Sequence, residues 1–149
     1  TLHTNDAPST ITRMIDMGIE AFNVASAVNL VVAQRLVRRI CKDCKAPHTY
    51  SDVELKALGG NPEQYKEIPF MKGRGCDTCG GTGYKGRAGI YEVMAMTPEL
   101  RRLIVRGGSV AELRDQAVAD GMLTLRMDGM KKIEKGVTSL EEVIKETAG

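Results

Sequence analysis

All four cysteines of the 149-residue chain stand in two Cys-x-x-Cys pairs, Cys41 and Cys44 in RICKDCK and Cys76 and Cys79 in GCDTCGGTGYKGR. Two such pairs separated by a loop are the ligand pattern of a structural zinc site. Zn²⁺ takes four tetrahedral soft ligands, and a Cys-x-x-Cys turn aims two thiolates at one centre. Gly73, Gly75, Gly80, Gly81, Gly83 and Gly86 crowd the second pair and supply the positive φ angles and sulfur-facing amides of a metal knuckle. Lys42, Lys45, Lys72, Arg74, Lys85 and Arg87 flank the pairs and oppose the roughly two net negative charges of a zinc tetrathiolate. A disulfide closing a loop of this size contributes about 3–4 kcal/mol and is reduced in the cytosol, whereas structural zinc supplies on the order of 10–16 kcal/mol. Zinc is the better staple; the alternatives are unligated thiols or a redox pair. His48 lies near the first pair, but four sulfurs complete the shell, so it reads as a surface histidine. A full shell leaves no position for a substrate, which makes this metal structural and not catalytic.

The rest of the chain needs no such staple. A length of 149 residues with 42% hydrophobic and 27% charged residues is ordinary for a globular protein with a packed core. The longest apolar run, residues 21–33, is broken by Asn23, Ser26 and Asn29, too short and too polar for a membrane span. The opening TLHTNDAPS has no basic and apolar leader, and this reads as a cytoplasmic chain. It starts at Thr1 without a methionine, as a piece of a longer protein would. A net charge of +2, two Phe, four Tyr and no Trp argue against nucleic acid as a partner.

Helix signals appear near residues 7–17, where Asn5 or Asp6 can cap and Gly18 can close, and over residues 21–28. The β-branched run LVVAQRLVRRI reads as a strand. A short helix follows Ser51, whose Glu54 completes a capping box, and strand character returns over residues 88–96. Four helices are expected beyond: after Thr97, after Ser109 with Glu112, over Leu125 to Lys135, and after Thr138 with Glu141. They are read as a small bundle packed on the sheet.

The phrases TLHTNDAPSTITRMIDMG, NLVVAQRLVRRICKDCK, GCDTCGGTGYKGRAGIYEVM and GMLTLRMDGMKKIEKGVTSLEEVIKET, in that order, resemble the carboxyl-terminal part of the type II secretion and type IV pilus assembly ATPases. The resemblance covers nearly the whole chain. It implies an α/β fold: the second half of a RecA-like motor domain over residues 1–40, an inserted tetracysteine zinc module over 41–87, a returning strand over 88–96 and a helical tail over 97–149. It further implies a homohexameric motor on the cytoplasmic face of the inner membrane, peripheral and not membrane-spanning, which uses ATP and Mg²⁺ to drive pilin or pseudopilin assembly through a membrane platform protein. His3 matches the family's histidine box, which faces the terminal phosphate of the nucleotide, and Cys41, Cys44, Cys76 and Cys79 match its metal-binding module. Retraction ATPases of the wider superfamily lack the cysteines, which points to the assembly or secretion branch, and DAPSTITRMIDMG leans towards the pilus.

One departure limits what this polypeptide does alone. Phosphoryl transfer needs a G-x-x-x-x-G-K-[ST] loop and an acidic Mg²⁺ ligand, and neither is present. Lys85 lies in a glycine-rich stretch but at the wrong spacing and with no Ser or Thr after it. The expectation is a chain that does not hydrolyse ATP by itself. Two other classes compete: a free-standing zinc-ribbon adaptor without motor ancestry, and the Cys-x-x-Cys-x-Gly-x-Gly repeat of J-domain co-chaperones. CDTCGGTG fits that repeat, but CKDCKAP lacks its glycines.

Overall fold

A computed structural model describes Leu2 and residues 4–148. In chain order the elements are α1 Ala7–Asp16, α2 Ala21–Ala27, β1 Leu30–Ile40, β2 Lys45–Pro47, α3 Asp52–Lys56, a 3₁₀ turn Pro62–Tyr65, β3 Met71–Gly73, β4 Tyr84–Ala95, α4 Pro98–Val105, α5 Val110–Ala119, α6 Leu125–Glu134 and α7 Leu140–Thr147. Strand β1 pairs with β4, and β2 with β3. The chain divides into two compact units, Thr1–Gln34 with Tyr91–Leu125 and Arg35–Ile90 with Arg126–Gly149. No helix of the described residues is long and apolar enough to cross a membrane.

In the first unit local chemistry sets the helix ends. The Asp6 carboxylate accepts the Ser9 N–H at 2.8 Å, Pro8 sits in the first turn of α1, and Gly18 follows the helix at φ +96°. Arg114 of α5 pairs with Asp6 at 2.7 Å. Ile11, Val24, Met94, Leu100, Ile104 and Leu113 close the core between the helices and one face of the strands. On the other face Leu30, Val32, Tyr91 and Val93 are exposed. Glu92, only 2% exposed, accepts the Ala7 N–H at 2.6 Å and the Leu125 N–H at 3.1 Å, so one carboxylate serves the starts of α1 and α6. Burial pushes its pKa up although both amides favour the ionised form.

The second unit has its own core of Tyr50, Leu55, Leu58, Phe70, Ile133, Leu140 and Val143. Tyr50 meets Phe70 edge to face with centroids 5.1 Å apart. Ser51 and Glu54 form the expected capping box on α3, as Ser109 and Glu112 do on α5.

Four features differ from the sequence reading. Strand β4 begins at Tyr84, ahead of residue 88, because its first residues run straight on from the glycine turn. Beside it the short pair β2–β3 joins Lys45 to Gly73, Ala46 to Lys72 and Pro47 to Met71, antiparallel, with no periodicity to announce it. The cap of α7 is Ser139, whose hydroxyl accepts the Glu142 N–H, and not Thr138 with Glu141; the Thr138 hydroxyl instead donates to the Arg38 carbonyl at 2.8 Å. The helices of residues 97–149 are divided between the units, α4 and α5 in the first and all of α6 beyond Leu125 with α7 in the second.

Candidate metal centre

Each cysteine pair spans a turn between two strands: Cys41 directly follows β1 and Cys44 precedes β2, while Cys76 and Cys79 lie between β3 and β4. The antiparallel β2–β3 pairing brings the two turns together, and the Arg74 N–H to Cys44 carbonyl bond at 3.1 Å continues it to the ligands. Glycine is required where the turns touch. A Cβ on Gly73 would stand 2.1 Å from the Gly83 carbonyl oxygen, and Gly83 itself has φ +80°.

The four Sγ atoms all lie within 4.8 Å of one another. Cys41 to Cys76 is 3.7 Å, Cys44 to Cys79 is 3.8 Å and Cys76 to Cys79 is 3.7 Å. All four thiols are free, with none paired as a disulfide. Four sulfurs at about 2.3 Å from a zinc ion stand about 3.8 Å apart in a regular tetrahedron, so this donor set fits Zn²⁺ in number, softness and spacing. Backbone amides complete the fit. The Gly75 N–H donates to Cys44 Sγ at 3.3 Å, and the Cys76 and Gly83 N–H groups donate to Cys79 Sγ at 3.2 Å each. Burial pushes the Cys79 thiol up, but its two amide donors prevail and bring it down to about 6. Burial and the neighbouring sulfurs push Cys44 up to about 11 despite the single Gly75 amide. Four thiolates this close repel one another and ionise together only around a cation. With four sulfurs in its shell the ion would crosslink the two turns and offer no site to a substrate.

The structure therefore brings together Cys41, Cys44, Cys76 and Cys79. His48 is exposed and packs edge-on to Tyr50 at 4.6 Å, outside the sulfur cluster. His3, the expected phosphate-facing residue, lies outside the described residues. Of the flanking cations, Lys72 pairs with Glu141 at 2.9 Å and Lys45 donates to the Gly136 carbonyl at 3.0 Å. Arg39, Lys42 and Lys85 line a hollow of about 290 Å³ beside Cys41. Sequence reasoning missed the polar groups behind the cysteines. Glu142, 2% exposed, accepts both the Arg38 N–H and the Arg38 guanidinium, which also lies 4.2 Å over the Tyr84 ring. The only mark of it in the sequence is the adjacent acidic pair Glu141 and Glu142, whose basic partners Lys72 and Arg38 lie far away along the chain.

Comparison with known sequences places this geometry in a family context. The sequence profile described as "Type II/IV secretion system protein" matches residues 1–145. The type IV pilus assembly ATPase PilB of Thermus thermophilus is 46% identical over 147 residues, covering 99% of this chain and 16% of that protein. PilB of Myxococcus xanthus is 45% identical over 149 residues, 99% of this chain and 26% of that protein. The type II secretion system protein E of Pseudomonas aeruginosa is 42% identical over 147 residues, 99% of this chain and 29% of that protein. The chain thus spans less than a third of the length of these relatives.

Proposed function

The chain belongs to the Type II/IV secretion system protein family, and from that premise we propose that it is the carboxyl-terminal segment of a hexameric motor ATPase that powers type IV pilus assembly. The observation that carries this reading is identity of 45–46% to pilus assembly ATPases along 99% of the chain. Type II secretion is the second reading, favoured by the 42% identity to secretion protein E over the same span. The profile match over residues 1–145 supports either motor over a free-standing zinc-ribbon adaptor.

In this proposal residues 1–40 and 88–96 contribute the second half of a RecA-like domain. The exposed apolar face of Leu30, Val32, Tyr91 and Val93 supports that role, since a two-stranded sheet with one uncovered apolar face is what part of a larger sheet-based domain presents. Residues 41–87 form the zinc module and residues 97–149 the helical tail. His3 faces the terminal phosphate of ATP, whose phosphate loop and Mg²⁺ ligand belong to the remainder of the longer protein. The assembly works in the cytoplasm, peripheral to the inner membrane. Zinc, when bound, supplies a rigid crosslink and no chemistry on the nucleotide, and the stapled turns transmit movement to the membrane platform protein better than a loose loop.

Magnesium-dependent ATP hydrolysis by the longer protein tests this reading. The longer protein should turn over ATP and lose at least tenfold in kcat on His3→Ala, while the 149-residue chain alone should show no turnover. Turnover by the isolated chain, or an unchanged kcat in the His3→Ala protein, contradicts it. Loss of piliation with protein export retained after Cys76→Ser and Cys79→Ser replacement would select the pilus branch.

A further inference from the structure

Residues 136–142, which join α6 to α7 and open α7, touch all four strands that flank the cysteine pairs. The Val137 carbonyl accepts the Ile40 N–H at 2.9 Å. The Thr138 hydroxyl donates to the Arg38 carbonyl at 2.8 Å, and the Arg38 N–H donates to Glu142 Oε2 at 2.9 Å. The Arg38 guanidinium adds a two-toothed grip on Glu142 Oε1, at 2.9 and 2.7 Å. The end of β1, from Arg38 to Ile40, is thus held by this segment, while the Cys41 N–H itself goes to the Gly83 carbonyl at 2.9 Å.

The same connection reaches the other ligands. Lys45, next to Cys44, donates to the Gly136 carbonyl at 3.0 Å. Lys72, ahead of Cys76, pairs with Glu141 at 2.9 Å, and the Tyr50 hydroxyl shares that carboxylate at 2.7 Å. After Cys79, the Tyr84 hydroxyl bonds to the Ser139 hydroxyl, one residue beyond the Gly83 amide that serves the Cys79 sulfur. Thr138 and Ser139 are 0% exposed and Glu142 is 2% exposed, an unusual burial for polar groups at a helix start. Their common feature is that each meets β1 or β4 within five residues of a cysteine, Thr138 and Glu142 at Arg38 and Ser139 at Tyr84.

We propose that Glu142 and Thr138 are positioning residues of the metal centre, so that metal occupancy and docking of residues 136–142 form one linked equilibrium. This rests on the reading that the four cysteines hold a metal ion. A tetrahedral thiolate site depends on sulfur positions fixed to a few tenths of an ångström, and groups behind the ligands typically change metal affinity 10–100-fold. Linkage makes the effect mutual: an ion that needs Cys41 in place also holds the connection against β1.

The test measures zinc affinity of the purified chain by competition with a chromogenic chelator, together with the visible absorption of the Co²⁺-loaded form. Glu142→Gln should weaken zinc at least tenfold and shift the cobalt bands, Glu142→Asp should recover part of the loss, and Thr138→Val should weaken zinc several-fold. Leu113→Ala, a core change in the first unit, should leave affinity unchanged. Zinc should also slow hydrogen exchange of the Arg38 and Ile40 amides, a readout that stands if Glu142→Gln fails to fold. Affinities of Glu142→Gln and Thr138→Val within twofold of the parent, or losses matched by Leu113→Ala, overturn the proposal. A parent chain that binds no zinc, or binds it equally well with Cys76→Ser and Cys79→Ser, overturns the metal reading and this inference with it; tight zinc binding with indifferent Glu142 and Thr138 variants overturns this inference alone.

Discussion

Replacing Gly73 by alanine probes the closest backbone approach in the metal centre. The added Cβ would lie 2.1 Å from the Gly83 carbonyl oxygen and 2.6 Å from the Gly83 Cα. Ordinary carbon contacts begin near 3.5 Å, so the two backbones must part by more than about 1 Å. Gly83 has little freedom to retreat, because its N–H serves Cys79 Sγ at 3.2 Å and its carbonyl accepts the Cys41 N–H at 2.9 Å. A displacement of that size breaks both bonds. Two lost hydrogen bonds at about 1 kcal/mol each, plus about 1–3 kcal/mol of overpacking, give roughly 3–5 kcal/mol. Read out as metal affinity, that is a loss of about two to four powers of ten. Gly80→Ala is the matched control: Gly80 also has a positive φ, +66°, but nothing lies within 4 Å of its added Cβ. Only the left-handed backbone penalty of about 1–2 kcal/mol remains there, about a tenfold loss. Chelator competition on both variants decides the matter. If Gly73→Ala holds zinc as tightly as Gly80→Ala, the steric reasoning is refuted.

Three further outcomes follow from buried groups and the metal. Glu92→Ala strands the Ala7 and Leu125 amides in a buried site and should lower stability by about 2–6 kcal/mol in urea titration, at about 1–3 kcal/mol per orphaned donor; a change below about 0.5 kcal/mol contradicts the double-cap role. Burial pushes the Glu142 carboxyl up, but the Arg38 hydrogen bonds prevail and hold it below the usual carboxylate value. Its stabilisation is therefore complete above pH about 4.5 and is lost as pH falls through the lower folded-state value, so the stability gap between the parent and Glu142→Gln should shrink on acidification, and a gap that widens contradicts the sign. A strong chelator should lower the unfolding midpoint of the second unit, followed by tyrosine fluorescence, since Tyr50, Tyr65 and Tyr84 lie in that unit and only Tyr91 in the first; an unchanged midpoint contradicts a structural metal.

The cysteine cluster was legible because the double Cys-x-x-Cys spacing survives in a linear string, and the four sulfurs do lie within 4.8 Å of one another. The capping boxes at Ser51 and Ser109 were legible for the same reason: both partners lie three residues apart. What stayed hidden depends on distant partners. In the run Thr138-Ser139-Leu140-Glu141-Glu142 two capping registers fit equally well, and the choice is made by the Arg38 carbonyl, which takes the Thr138 hydroxyl from a hundred positions away. Glu92 was legible only as one residue of the 88–96 strand; its burial depends on two helix starts, at Ala7 and Leu125, that converge on it. Strands β2 and β3, three residues each, carry no alternation and exist through their mutual pairing and the turns they join. Tyr84-Lys85-Gly86-Arg87 reads as loop from its glycine and charges, yet it forms the first stretch of β4.

Zinc K-edge absorption on the chain purified without added metal or chelator bears most directly on the tetracysteine centre. One equivalent of zinc per chain with four sulfur neighbours at about 2.3 Å is the expected result. A shell containing nitrogen or oxygen, fewer than four sulfurs, or far less than one equivalent of metal would contradict it.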